Sequence, residues 1–474
     1  MADLGISGLV SGMNIDQQIN NILSAEFGPR YENLTIEQSE LESAKTAWRD
    51  VNSKLSSLEG KVTDLKLSAT FNSMQTTSTD EDVATATANS DAVVTSYDLH
   101  VDQLAQAHRL ASDQQTEGSD GELSLNSGSF TLNVGGVDGT DIKIEGIDGT
   151  TTLNELVNNI NSDSQNDDGN GNKLVQASVV DDRLVLESTQ TGTTNNITKK
   201  SDPNSILADL GLGDFSTATI QQAQDAQFDV NGIQDITRAS NKGIDDVVDN
   251  VTFDLKDTGD TTIEISPDLD KASSAVQKFV DQYNSSMGFI SDKLNYNSST
   301  DDAGVLQGDG TLMRLSSNVR QKVMDRVNSG NSYEHLSVVG IEIDETGTMS
   351  FDETKFQEAL EEDPTQVREL FNADSDSGDS FDGVATRLDS YLDTLTSTTG
   401  TIPDTVDYYE DQISDIDDEI DNLRDDMQNK KDRLEAKFTN METSLSSMQN
   451  QMSWMQSQMS SMGGGSISTL LGSL

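Results

Sequence analysis

The chain has 474 residues, with 30 Lys and Arg against 83 Asp and Glu, and its formal net charge of −53 repels nucleic acid phosphates and anionic lipid alike. There is no cysteine, which removes disulfides and thiolate chemistry, and no segment reaches the roughly 20 apolar residues needed to cross a bilayer. A 33% hydrophobic content supports several small cores, and the acidic excess is also what a surface adapted to high salt carries.

Charge is nearly absent from both ends. The first 29 residues hold only Asp3, Asp16 and Glu26, with no Lys or Arg before Arg30 and no uninterrupted apolar stretch, so no secretory signal peptide is expected. Residues 31 to 70 predict one long helix: Leu34, Leu41, Trp48, Leu55 and Val62 recur every seventh position, and Ala44, Val51, Leu58 and Leu65 form a second seam. Pro29 is expected to end one helix and begin the next.

From about residue 72 to 265 the apolar period falls to two. Strands are expected at Ser129 to Val134 and Asp141 to Ile147, with turns at Gly135-Gly136 and Asp148-Gly149, followed by a short helix on Leu153, Leu156, Val157 and Ile160. Further strands are expected at Leu174 to Val180, Arg183 to Ser188, Ala226 to Val230, Asn250 to Leu255 and Thr261 to Ile265. Helical spacing returns over Leu269 to Leu294 and Leu312 to Val327.

The last helical stretch is the longest. Val406, Ile413, Ile420, Met427, Leu434, Met441, Met448, Met455 and Met462 repeat every seven residues. The companion row of Ile402, Tyr409, Ile416 and Leu423 meets Lys430 and Lys437, then resumes one residue late at Phe438, Leu445, Met452 and Met459, which predicts a phase change or a joint near 430 to 438. Eleven acidic residues lie between Asp404 and Asp426, four basic ones follow between Lys430 and Lys437, and from Phe438 onward Glu442 is the only charged side chain. The expected architecture is multidomain α+β, with a helical coiled-coil leg formed by both termini and β-rich head domains inserted in the middle. Helical apolar spacing at both sparsely charged ends gives an expected assembly surface of Leu9, Ile15, Ile19, Ile22, Leu445, Met448, Met452, Met455, Met459 and Met462. Trp454 lies beside this stripe as an additional contact. Methionine suits such a surface because a flexible thioether can repack against more than one partner.

Several short motifs occur in a specific order. Gly8-Leu9-Val10-Ser11-Gly12-Met13-Asn14-Ile15-Asp16 is followed by Ile19, Ile22, Glu26 and Pro29, then by Ser96-Tyr97 through Val101 and Gln103-Leu104-Ala105. Asn231-Gly232, Ser240-Asn241, Val251-Thr252, Tyr283-Asn284, Gly304 to Asp309, Val339-Gly340-Ile341, Gly347, Phe351-Asp352, Phe438, Met441-Glu442 and Met448 complete the series. In this order the chain resembles the flagellar filament cap family, also called hook-associated protein 2, over essentially its whole length. Asn14 stands where that family usually has Asp, and Asn250 where it often has Gly. Residues 151 to 200, built on Leu153, Ile160-Asn161, Leu184-Val185-Leu186 and Gly192, resemble a module shared with flagellin.

The resemblance implies terminal assembly helices at 1–42 and 430–474, a helical leg domain at 43–71 and 270–429, a β-rich domain at 72–112 and 225–269, and an outer β-rich domain at 113–224. It also implies a ring-like homo-oligomer at the flagellum tip, outside the cell, exported without a cleaved signal peptide. The implied partners are flagellin, hook-filament junction proteins, and the flagellar export apparatus with its chaperone. No cofactor is expected. A filament or hook-junction subunit, and a secreted adhesin-like head, are the alternative readings.

Catalytic chemistry has little support. His100, His108 and His335 are scattered and belong to no nucleophile motif, and acid pairs such as Asp181-Asp182 are common in this composition. Asn166 to Asn172 alternates oxygen ligands as a calcium loop does, but Ala177 occupies the closing position, so a hairpin loop is the expectation.

Overall fold

The computed structural model of the protein describes residues 11–136, 139–297, 302–378 and 381–463, which fall into two compact units. One is helical and draws on the chain up to Lys66, on Ala275–Phe356 and on the chain from Thr365 onward; the other is β-rich and comprises Leu67–Ser274 with Gln357–Pro364.

In the helical unit the N-terminal helix Ile15–Lys66 buries Leu34, Ala44, Trp48, Val51, Leu55, Leu58, Val62 and Leu65, which are members of both predicted seams. At roughly 1.5–3 kcal/mol for each large apolar side chain buried, this stripe holds the helix in place. The expected break at Pro29 does not occur, and the helix runs through it. A proline inside a helix costs about 3 kcal/mol, mostly through a lost hydrogen bond and a clash with the preceding turn. Here Pro29 and Ala25 lie on an exposed face where water can serve the released carbonyl. Burial of Ile15, Ile19 and Leu23 on one side of the proline and Leu34 on the other outweighs the cost.

The C-terminal helix Thr401–Gly463 is also continuous, so the predicted joint at 430 to 438 is absent. Leu434 and Phe438 pack on Ile15, Ile19 and Leu23, while Lys430 reaches sideways to Glu26 at 2.8 Å. The phase change is therefore absorbed as a gradual shift of the contact stripe around an unbroken helix. The helix Val384–Thr396, which periodicity did not single out, lies against the N-terminal helix. Asp389 accepts from Lys66 at 2.5 Å and from Thr63 at 3.2 Å, and Thr396 donates to Glu59 at 2.6 Å.

The β-rich unit holds two cores. The first lies between a five-stranded antiparallel sheet and a three-stranded one. In the five-stranded sheet the order is Met74–Ser78, Gly259–Pro267, Ser96–Gln103, Ala226–Val230 and Ile233–Arg238. Leu99, Val101, Phe228, Phe253, Leu255, Ile263 and Ile265 fill this core. Asn250 carries φ +63° directly before the strand Val251–Leu255, a conformation that asparagine tolerates better than most residues.

The second core lies between a four-stranded sheet, a three-stranded sheet and the helix Leu153–Ser162. That helix begins with a capping box in which Thr152 accepts from the Glu155 amide at 3.2 Å and Glu155 accepts from the Thr152 amide at 3.0 Å. The strand Ala107–Ala111 pairs with Arg183–Thr191 and supplies Leu110 to this core, so the core begins ahead of residue 113. Two backbone hydrogen bonds between Gln106 and Gln224 precede it. Asp181 and Asp182, with φ of 48° and 56°, form the two-residue turn between Val180 and Arg183, which gives that acid pair a geometric role.

Asn166 is fully buried and uses its whole amide. It donates to the carbonyls of Ile160 at 2.9 Å and Val175 at 2.7 Å, and accepts from the amides of Leu174 at 3.0 Å and Val175 at 2.8 Å. Asp167 and Asp168 turn inward on the amides of Gly169, Gly171, Asn170 and Asn172, closing the loop on itself. Among the described residues no group of His, Cys, Asp or Glu is arranged to hold a metal. Asn166→Ala strands four backbone groups, three of them buried, and is expected to cost about 2–4 kcal/mol in denaturant titration of the β-rich unit. A loss below about 0.5 kcal/mol would mean that the amide does not organise the loop.

Candidate assembly surface

The surface is built on the antiparallel pairing of the two long helices. Arg49 pairs with Glu410, Gln38 donates to Asp417 at 2.6 Å, Arg424 lies 5.8 Å over the Tyr31 ring, Lys430 meets Glu26 at 2.8 Å, and the Ser11 amide reaches Glu442 at 3.4 Å. Each step toward the N-terminus on one helix matches a step toward the C-terminus on the other. The charged rungs are solvent-exposed and contribute little individually, so they fix register while the apolar seam supplies the energy.

Cover is lost progressively along the C-terminal helix. Ile413, Ile416, Ile420 and Leu423 are buried, Met427, Leu434, Phe438, Met441 and Leu445 are half-buried, and every residue from 447 to 461 is exposed. Met448, Met452, Met455 and Met459 are 61%, 69%, 55% and 69% exposed. At 100° per residue they fall within an arc of about 60°, so they form one stripe. From Thr443 to Gly463 there is no charged side chain. A partner can therefore cover this helix without desolvating an ion, which is usually the costliest part of burying a surface.

The predicted assembly residues separate into three groups. Ile15 and Ile19 are buried within the chain against Met427, Leu434 and Phe438, so their apolar surface is already spent on holding the two helices together. Ile22, 38% exposed, and the four methionines are open, while Leu445 is half-buried. Leu9 and the Met462 side chain lie outside the described residues. Trp454, outside that set, is 65% exposed. It sits about 100° around the helix from Met455, so it projects to one side of the stripe. It falls in neither heptad row, and its position beside the stripe is read from the sequence as an additional contact.

The histidines do not converge on a reaction centre. His335 belongs to the helical unit. His100, on the solvent face of the strand Ser96–Gln103, bonds Asp260 at 2.6 Å, and that hydrogen bond, with Asp102 and Asp229 nearby, raises its pKa. His108 is buried, and loss of water pushes its imidazole below the ordinary value. Its Nδ1 accepts the Ile197 amide at 3.0 Å. Nε2 then carries the hydrogen and donates to Thr219 Oγ1 at 3.1 Å, whose own hydroxyl donates to the Phe215 carbonyl at 2.6 Å. The neutral ring joins three segments of the second core.

The unfolded chain takes up the His108 proton first as pH falls, so stability is expected to fall from about pH 6.5 and to level off below the folded-state value. His108→Gln should remove that pH slope from melting curves. An unchanged slope in the variant would assign it to other groups.

Comparison with known proteins identifies the family of the chain. The family model described as flagellar hook-associated protein 2 N-terminus matches residues 11–108, and the one described as flagellar hook-associated protein 2 C-terminus matches residues 223–450. The second β core lies almost wholly in the stretch between them. The chain is 26% identical over 425 residues to the A-type flagellar hook-associated protein 2 of Pseudomonas aeruginosa, covering 83% of this chain and 84% of that one. It is 28% identical over 323 residues to the lateral flagellar hook-associated protein 2 of Vibrio parahaemolyticus, covering 64% and 68% respectively. The crystal structure of the D1-D2-D3 domains of the Escherichia coli flagellar cap protein superposes with a TM-score of 0.63 at 28% identity, over 77% of this chain and 99% of that one.

Proposed function

The chain belongs to the flagellar hook-associated protein 2 family, and from that premise we propose a structural cap at the distal end of the bacterial flagellar filament, seated through the exposed end of its C-terminal helix. The observation that carries the seating mechanism is the loss of cover along one continuous apolar seam, from residues buried by the N-terminal helix to methionines open to water. Because the seam keeps its period, the element that completes it is another helix of the same kind, supplied by a neighbouring copy in a ring-like homo-oligomer.

In this reading Ile22, Leu445, Met448, Met452, Met455 and Met459 are the contact residues, and Ile15 and Ile19 hold the paired helices that present them. Flagellin is the substrate of the assembly: subunits arriving at the tip fold and insert beneath the cap. Hook-filament junction proteins, the export apparatus and its chaperone are the remaining partners. Export through the flagellar channel needs no cleaved leader, and a chain without disulfides can pass unfolded and refold outside. Immunogold labelling tests the location: label confined to filament tips is expected, and label spread along the shafts would favour a filament subunit. Electron microscopy of the purified protein should show closed rings, whereas fibres would sink the ring.

A further inference from the structure

We infer that Met448, Met452, Met455 and Met459 form an oxidation-sensitive modification site, through which an oxidant of the peroxide class disables a subunit that has not yet been seated. The inference rests on the reading of this helix as the docking surface, and it adds chemical control of that surface.

Three observations carry it. First, the chain has no cysteine, so methionine thioethers are its only oxidisable sulfur. Second, four of them are 55–69% exposed on one stripe of one helix; Met13, Met313 and Met324 are 40%, 47% and 54% exposed but lie outside that stripe, and Met287 and Met349 are 7% and 2% exposed. Accessibility governs the rate of thioether oxidation, so the stripe reacts ahead of the packed methionines. Third, Leu445 begins the same stripe at half-burial, so the face accommodates leucine where its own chain partly covers it. Leucine matches methionine in helix propensity and nearly in volume. Methionine at four successive stripe positions suits repacking, and it also makes the stripe oxidisable, which leucine would not.

The step balances with a single co-reactant. The thioether sulfur donates a lone pair to one oxygen of hydrogen peroxide and the O–O bond breaks. Sulfur is oxidised by two electrons to the sulfoxide, and the second peroxide oxygen leaves as water with both hydrogens. The product carries a strong S–O dipole where an apolar group stood. Water solvates that dipole on a free subunit, and covering the stripe strips the water away, so each S–O group must find a new donor among the neutral Ser and Gln side chains flanking it or be buried at a cost. Once a copy is seated the same sulfurs are shielded. Oxidation thus acts on free subunits and spares assembled ones.

The experiment uses the full-length protein. Free subunits are treated with millimolar hydrogen peroxide, the modified methionines are mapped by mass spectrometry, and ring formation is followed by sedimentation. The four stripe positions should be oxidised before Met287 and Met349, and assembly should weaken by at least tenfold. Methionine sulfoxide reductases should restore it. The quadruple variant Met448→Leu, Met452→Leu, Met455→Leu and Met459→Leu keeps Trp454, and its assembly, measured against its own untreated level, should not change with peroxide. Protein oxidised at all four positions that assembles normally overturns the inference, as does a leucine variant that peroxide disables equally. The docking reading fails separately: a chain lacking residues 440–474 that still forms rings removes it, whatever peroxide does.

Discussion

Deleting residues 440–474 is expected to abolish ring formation while leaving both folded units intact. The described part of the deleted segment is held to its own chain only near its start, where Met441, Glu442 and Leu445 are half-buried; every residue from 447 to 461 is exposed. Its removal should therefore cost the helical unit about 1–3 kcal/mol and leave it folded. Assembly is another matter. Burying a methionine releases roughly 1.5–3 kcal/mol, and half of that for each of four side chains still amounts to about 3–6 kcal/mol, a 100-fold to 10,000-fold change in affinity.

Met452→Asp with Met455→Asp in the full-length chain should act in the same direction, because a carboxylate on an exposed helix folds readily yet cannot be covered without a partner charge. Trp454 provides a reporter: its emission should move to shorter wavelength as copies associate. Rings that persist in the truncated chain, or in the double aspartate variant, would place the interface elsewhere.

Trp48→Ala is the second large effect, and it concerns folding. Trp48 is completely buried in the N-terminal helix, one residue from the Arg49–Glu410 rung, within a run that includes Val51, Leu55 and Leu58 at zero exposure. Truncating a buried tryptophan to alanine removes its transfer energy and leaves a cavity, together about 3–5 kcal/mol. For a unit of this size that lowers the melting temperature by roughly 6–20 °C. Trp454→Ala is the matched control and should change stability by less than about 0.5 kcal/mol. Circular dichroism at 222 nm reads both. A Trp48→Ala chain that melts like the parent would mean that the seam is not the source of the helical unit's stability.

Much of this architecture was legible because both long helices keep a strict seven-residue repeat, and a repeat of that length has few other physical explanations. The strands Ser129 to Val134 and Ala226 to Val230 were legible for the parallel reason, alternation of period two between turn residues. Pro29 misled because propensity is a local cost, and the compensating burial of Ile15 and Ile19 comes from residues some 400 positions away. The helix Val384–Thr396 escaped notice because it is short and buries Thr386 alongside Val384 and Leu388, which blurs its apolar stripe.

The exposed apolar stripe was half legible. Periodicity identifies an apolar face but not what covers it, so Ile19 and Met452 looked alike until the antiparallel register placed one inside the pair and the other beyond it. Asn166 shows the converse. Its spacing of oxygens imitated a cation loop, and only the positions of the Leu174 and Val175 amides reveal a side chain that substitutes for backbone.

The unbroken course of the C-terminal helix has a mechanical consequence. With no hinge between Thr401 and Gly463, a sideways push at Met459 is carried as by a stiff rod to Ile402, about 85 Å away along the axis. Whatever grips the tip of that rod also steers its far end, so a rearrangement among seated copies need not be relayed through loops.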